Sequence, residues 1–171
     1  IFGRRMSKQG NKPAILLGSH IDTVPHGGAY DGALGVLAAI ETLRTLDEKG
    51  YQNSHPLEVA IWSDEEGGMS GSRAFVGDLQ RSELDRIVTG AHDLAGCIGR
   101  IGGEPDRIED AACEKSDVAA YLELHIEQGP VLDRLGKNIG VVEAIAGLFK
   151  WNVRFIGHAN HAGTTPMNMR L

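Results

Sequence analysis

Three short apolar runs in this chain each end in residues that carry charge or bind metals. PAILLGS, residues 13–19, runs into His20 and Asp22, and LEVAIWS, residues 57–63, runs into Asp64, Glu65 and Glu66. YLELHIEQG, residues 121–129, is a third strand candidate and carries His125 and Gln128 towards its end. Strands that are short and almost uniformly apolar are covered on both faces, which is the habit of parallel sheets flanked by helices. From Ala33 onwards, Leu34, Leu37, Ile40, Leu43 and Leu46 recur near the helical period, and Gly50 follows as a stop, so a first helix is predicted between the first two strands. The chain is therefore expected to be α/β, with a mainly parallel central sheet covered by helices.

The pattern changes towards the carboxyl end. NIGVVEAIAG, residues 138–147, reads as a fourth strand. FKWNVRFIG then alternates, with Phe149, Trp151, Val153 and Phe155 on one face and Lys150, Asn152 and Arg154 on the other, as in a half-exposed antiparallel strand. This places a partial metal-binding catalytic domain over residues 1–146 and the start of a second, truncated domain over 147–171. Residues 72–118, interrupted by Gly102, Gly103 and Pro105, read as connective.

Composition narrows the partners. At 171 residues and 42% hydrophobic content the chain can bury a core, and 17 basic against 23 acidic side chains give a net charge of -6, which disfavours nucleic acid or an anionic membrane and favours a small molecule. Two cysteines, Cys97 and Cys113, are too few for a disulfide framework and read as buried filler in a reducing compartment. No apolar run of about 18 residues is present, and the N-terminus lacks the order of a signal peptide, so a cytoplasmic location is expected.

In open α/β sheets, ligands collect at the carboxyl ends of the strands. His20 and Asp22 stand two apart in extended backbone, where a carboxylate behind an imidazole fixes its tautomer. Asp31 follows the flexible Gly27 and Gly28 at the start of the helix, where a carboxylate can bridge two cations. Neighbouring side chains in extended backbone point apart, so Glu65 and Glu66 divide their labour: one holds a metal, and the other takes the proton of an activated water. Taken singly, each of these features has a blander meaning. A histidine after a strand is commonly a surface residue, which is how His26, His55, His92 and His158 are read. An acidic pair is commonly a solvated loop, Gln128 a surface amide, and Gly67, Gly68 and Gly71 turn residues. Convergence at three strand ends is what favours a metal-dependent hydrolytic centre.

The segments GSHIDTVPHGGAYDGALGVLAAIE, SDEEGG, LELHIEQGPVLD, IGVVEAIAG and GHANHAGTTPMNMR together resemble, in order and over nearly the whole chain, a known family. It is that of the two-metal amidohydrolases comprising N-carbamoyl-L-amino-acid hydrolases, β-ureidopropionases and allantoate amidohydrolases, relatives of zinc aminopeptidases. The resemblance implies two divalent ions, zinc or manganese, with His20, Asp31 and His125 on one and Asp31 and Glu66 on the other. Glu65 becomes the general base, Asp22 the residue that orients His20, and Gln128 a hydrogen-bonding partner of the substrate's ureido group. His161, in NHAGTTPM, becomes a donor to the developing oxyanion from the smaller domain, with Asn160 and Arg170 near it. The implied reaction is hydrolysis of an N-carbamoyl-L-amino acid, or of allantoate or β-ureidopropionate, by a homodimer built through an inserted α/β dimerisation domain.

Departures from the family are equally specific. Its members are far longer than one domain, so the chain is expected to be a fragment. A further metal-binding histidine and an arginine for the substrate carboxylate are expected outside these residues, and GGMSGSRAF is shorter than the family's usual loop. The competing reading from another class is an inactive, truncated metal-binding or interaction module that pairs through 149–157. Retention of Glu65 beside the ligands speaks for the enzyme, since a module freed from catalysis has no use for a base.

Overall fold

The computed structural model describes residues 1–10, 12–147, 149 and 151–170. Its elements in chain order are β1 (Phe2–Arg5), β2 (Ala14–His20), α1 (Ala33–Glu48), β3 (Leu57–Trp62), α2 (Ser70–Phe75), β4 (Ile87–Thr89), β5 (His92–Asp93), α3 (Leu94–Arg100), β6 (Val118–Leu122) and α4 (Val131–Leu135), with short 3-10 turns between several of them. Four strands form one sheet in the order β1-β3-β2-β6. β2 runs parallel to β3, from Ile15 opposite Leu57 to His20 opposite Trp62, and parallel to β6, ending at Leu17 opposite Leu122. The mainly parallel α/β sheet expected from the apolar runs is present. Because three neighbouring strands share a direction, their carboxyl ends reach the same edge, which is what gathers the polar clusters.

β1 is the exception: it pairs antiparallel with β3, Phe2 opposite Ala60 and Arg5 opposite Leu57. Its sequence, FGRR, lacks the apolar signature of the other strands because it lies at the sheet edge, where charge discourages further strand pairing. Arg4 meets Glu58 of β3 at 3.0 Å, and Arg5 is bonded to Asn53.

One core lies on the sheet, where Ala14, Leu16 and Ala60 are buried with Trp62, Phe75 and Val118 packed against them. Burying a leucine such as Leu16 contributes about 2 kcal/mol. Aromatic rings extend this layer: Phe2 and Phe75 stack at 5.3 Å, and Trp62 lies edge-on to Phe2 at 5.7 Å. The segment 72–118, expected to be connective, has a core of its own made by Ala74, Leu79, Leu84 and Leu94. Arg73 ties it down, gripping both oxygens of Glu83 at 2.8 and 2.9 Å and Asp78 at 2.8 Å. The guanidinium bonds are the main cause that draws the Glu83 carboxyl down to about 2.

The first helix forms where expected, but the leucines that announce it are not the residues that meet the sheet. Leu34, Leu37 and Ile40 are exposed, whereas Gly35, Val36 and Ala39 are buried. The reason is close approach: a Cβ on Gly35 would lie 2.6 Å from the Ser19 side chain and 2.3 Å from the Leu124 carbonyl, so only small side chains fit that face.

By its contacts the chain divides into two compact units, Ile1–Gln128 and Gly129–Leu171. The second contains α4, which ends at the left-handed Gly136, and a 3-10 turn over Met167–Met169. Among the described residues, neither 138–147 nor 149 and 151–157 form a strand; Phe149, Trp151, Val153 and Phe155 are all strongly exposed. The alternation is real, but a ladder needs a partner for its N–H and C=O groups, and no described segment pairs with this one. Lys150, the polar residue expected between Phe149 and Trp151, lies outside the described residues.

Candidate metal centre

Three strands and the start of α1 deliver the side chains at the shared sheet edge. His20 is the last residue of β2 and is 2% exposed. Glu65 and Glu66 follow β3 in a tight turn that begins with Asp64 in the left-handed region, φ 58°. Asp64 is fixed there by Ser70, which donates to its Oδ2, and by Arg86 at 3.9 Å. His125 and Gln128 follow β6, and Gln128 is also left-handed, φ 52°. Left-handed backbone in residues with a Cβ carries strain, and here it occurs on both sides of the polar cluster.

Asp31 precedes α1 and is 5% exposed. Between it and the helix stands Gly32, with φ 64°. A Cβ on Gly32 would lie 2.4 Å from the carbonyl oxygen of His20 and 2.5 Å from its Nδ1, so the His20 ring sits directly on the bare backbone of residue 32. The turn thus brings Asp31 alongside His20.

The two imidazoles have defined tautomers. Nδ1 of His20 lies 2.8 Å from the main-chain oxygen of Asp22, and Nδ1 of His125 lies 2.9 Å from that of Ile126. A carbonyl oxygen only accepts, so each Nδ1 carries a proton, and the neutral form of either ring leaves its Nε2 bare. These two bare nitrogens are 3.5 Å apart, with the rings stacked at 5.7 Å. Oδ1 of Asp31 lies 3.2 Å from Nε2 of His125 and 3.8 Å from Nε2 of His20, and it is buried with no hydrogen-bond partner. Its Oδ2 accepts from the Gln128 amide at 2.7 Å.

With both rings in that form, three lone pairs converge on one point. A buried acceptor without a donor is costly, and a divalent cation is the species that satisfies two imidazole nitrogens and a carboxylate together. One ligand atom from each of His20, Asp31 and His125 falls within 4.8 Å of the others, and the same holds for His20, Glu65 and Glu66. Oε2 of Glu65 stands 3.8 Å from Nε2 of His20. The Glu66 carboxyl is pushed above its usual range by burial first and then by the negative charges of Asp31 and Glu65. Among the described residues no lysine or arginine pairs with Asp22, Asp31, Glu65 or Glu66. This cluster of carboxylates and bare imidazoles fits divalent metal ions.

Asp22 sits beside His20 but holds it differently from the sequence expectation. Its carboxylate Oδ1 is 4.0 Å from Nδ1, while the main-chain oxygen makes the bond. Oδ2 instead accepts from the backbone N–H of Glu66 at 3.1 Å, so the Asp22 side chain anchors the glutamate turn. Sequence reasoning also passed over Gly32, whose importance lies in a contact with a residue twelve positions away. It missed a side-chain chain as well, in which Trp62 donates to Tyr121, Tyr121 donates to Glu123, and Ser19 donates to Glu123.

In the unit Gly129–Leu171, His161 accepts at Nδ1 from the backbone N–H groups of Gly163 and Thr164, at 3.0 and 3.2 Å. Its proton therefore resides on Nε2, which makes the ring a donor at its outer edge. Arg170 donates from Nε to the Thr165 carbonyl and from Nη2 to the Ala162 carbonyl, at 3.0 and 2.6 Å. Asn160 is exposed.

Known proteins resemble this chain in sequence and fold. The chain is 42% identical to an N-carbamoyl-L-amino acid amidohydrolase of Geobacillus stearothermophilus, over 99% of its own length and 43% of the relative's. It is 37% identical to an allantoate deiminase of Arabidopsis thaliana, over 99% of its length and 34% of that protein's. A crystal structure of a hydantoinase/carbamoylase family amidase from Burkholderia ambifaria superposes with a TM-score of 0.73 at 35% identity, over 99% of this chain and 42% of the other. The chain thus spans less than half the length of these relatives. Residues 16–168 match the sequence profile of peptidase family M20/M25/M40, and the chain belongs to that family.

Proposed function

We propose that the complete protein is a metal-dependent amidohydrolase that cleaves a linear ureido C–N bond, with an N-carbamoyl-L-amino acid as substrate. The observation that carries this reading is the convergence of two bare imidazole nitrogens on the partnerless, buried Oδ1 of Asp31. Similarity to the Geobacillus amidohydrolase supports the choice of substrate class. The allantoate deiminase relative favours allantoate as the second reading, since both compounds present a ureido group.

His20, Asp31 and His125 would hold one ion, and Asp31 with Glu66 the second; imidazole and carboxylate donors suit zinc or manganese. Bound divalent ions supply Lewis acidity at the carbonyl and bring the pKa of water towards neutrality. Glu65, left without a ligand role, takes a proton from the attacking water and returns it to the departing amino-acid nitrogen. Cleavage releases the amino acid and carbamate, which decomposes to carbon dioxide and ammonia. Asp22 steadies the turn that carries the two glutamates. Gln128, already donating one N–H to Asp31, offers its remaining amide groups to the ureido function. His161, fixed as an Nε2–H donor, stabilises the developing oxyanion, and Asn160 and Arg170 serve the substrate beside it.

The small domain beginning near residue 147 is assigned to dimerisation, and the exposed apolar residues Phe149, Trp151, Val153 and Phe155 support that role because they leave apolar surface for a partner to cover. No helix among the described residues is long and apolar enough to cross a membrane, which suits an enzyme of small polar substrates in the cytoplasm.

Two measurements test the reading on the complete protein. Dialysis against a chelator should abolish hydrolysis of N-carbamoyl amino acids, and adding back zinc or manganese should restore it. Hydrolysis that survives complete metal removal would end the proposal. His161→Ala should lower kcat about a hundredfold or more while metal content stays nearly constant, since a transition-state donor is lost and a ligand is not. An unaltered kcat would remove His161 from the site.

A further inference from the structure

The histidines that face each other across the candidate cation site are not held together by the sheet. Ladder pairing between β2 and β6 ends at Leu17 opposite Leu122. His20 lies three residues beyond that point on one strand, and His125 three residues beyond it on the other. β2 remains paired with β3 as far as His20 opposite Trp62, but residues 123–125 have left the ladder. Something other than backbone hydrogen bonds must set the 3.5 Å between the two Nε2 atoms.

Glu123 occupies that gap. Its Oε1 accepts from the hydroxyl of Ser19, the residue before His20, at 2.6 Å. Its Oε2 accepts from the hydroxyl of Tyr121 at 2.8 Å, and Tyr121 in turn accepts from the indole N–H of Trp62 at 2.9 Å. One carboxylate thereby joins β2, β6 and β3 at the level where each strand hands over to its site residues. Ser19 is 0% exposed, and the bare face of Gly35 presses on both the Ser19 side chain and the Leu124 carbonyl, so the two strand ends have little freedom to slide. A carboxylate that accepts at both oxygens makes charge-assisted bonds, roughly twice as strong as neutral ones. The Tyr121 phenol is pushed above its usual range, chiefly by burial, so it remains a donor across the working pH.

We propose that Glu123 is a positioning residue, clamped by Ser19 and Tyr121, which replaces the missing strand pairing and sets the spacing of His20 and His125 for a shared divalent ion. The proposal rests on reading His20, Asp31 and His125 as cation ligands. Groups that orient metal ligands typically change ion affinity by about ten- to a hundredfold when removed.

The test uses the complete protein, stripped and titrated with Co(II), whose visible absorption reports the ligand field directly. Glu123→Ala should weaken Co(II) binding at least tenfold and change the intensity of its visible bands. Glu123→Gln, which keeps an acceptor for Ser19 and an amide for the Tyr121 oxygen, should bind within about threefold of the parent. Ser19→Ala should reproduce most of the alanine effect, and the double variant Ser19→Ala with Glu123→Ala should be no worse than the more affected single one, because both remove the same link. If either alanine variant does not fold, Tyr121→Phe, which removes one hydroxyl at the exposed rim, should still shift the bands. A parent that binds Co(II) well, with alanine variants or Tyr121→Phe showing unchanged affinity and spectrum, overturns the positioning role alone. A parent that binds no Co(II) overturns the cation site and this proposal with it.

Discussion

Glu65→Gln in the complete protein is expected to lower kcat by about two to four orders of magnitude while leaving metal content close to that of the parent. The substitution keeps shape and removes only the ability to take a proton. Glu65 and Glu66 are adjacent, yet their environments differ. The Glu66 carboxyl is pushed up by burial and by Asp31, and its backbone N–H is anchored on Asp22. Glu65 stands 3.8 Å from the bare nitrogen of His20, close enough to serve a water held at that point. Metal analysis alongside steady-state kinetics decides the matter. If metal and turnover disappear together, the two glutamates have exchanged roles, and the corresponding Glu66→Gln variant should then retain its metal.

Gly32→Ala is expected to be strongly damaging, because its methyl group would land on the His20 ring. The new Cβ would fall within 2.6 Å of three atoms of His20, two of them in its ring, at a backbone φ of 64°. Left-handed backbone costs a residue with a Cβ about 1–2 kcal/mol, and overpacking adds about 1–3 kcal/mol. A loss of about 3 kcal/mol in denaturant unfolding of the metal-free protein is expected, together with a fall in ion affinity of about a hundredfold or more. Gly28→Ala is the control, because a Cβ there meets nothing within 4 Å. Equal stability and metal affinity for the two variants would mean that the His20 ring does not rest on residue 32.

Much of the site is legible in the residues themselves, since His20 and the two glutamates stand at the ends of strands that apolar runs mark. His20 after AILLGS and the glutamates after LEVAIW need no coordinates to be noticed. What escapes a linear reading is whatever depends on a neighbour distant in the chain. The helix α1 is announced by its leucines, but its buried face is chosen by the closeness of Ser19 and Leu124, which admits only Gly35, Val36 and Ala39. The strand expected over 121–129 begins earlier, at Val118, and stops at Leu122, because pairing with β2 ends there. β1 carries no apolar signal, being an edge, and the alternating 149–157 has a strong signal without a described partner to pair with. Periodicity reports what a segment can do; pairing decides whether it does so.

The bonds that hold a proton on Nδ1 of His20 and of His125 both end on peptide oxygens, those of Asp22 and Ile126. No side-chain replacement at either position deletes such an acceptor. An alanine at residue 22 therefore interrogates the footing of the glutamate turn rather than the imidazole, and the metal-facing state of both rings is encoded in chain path, where point mutation can reach it only by bending the backbone.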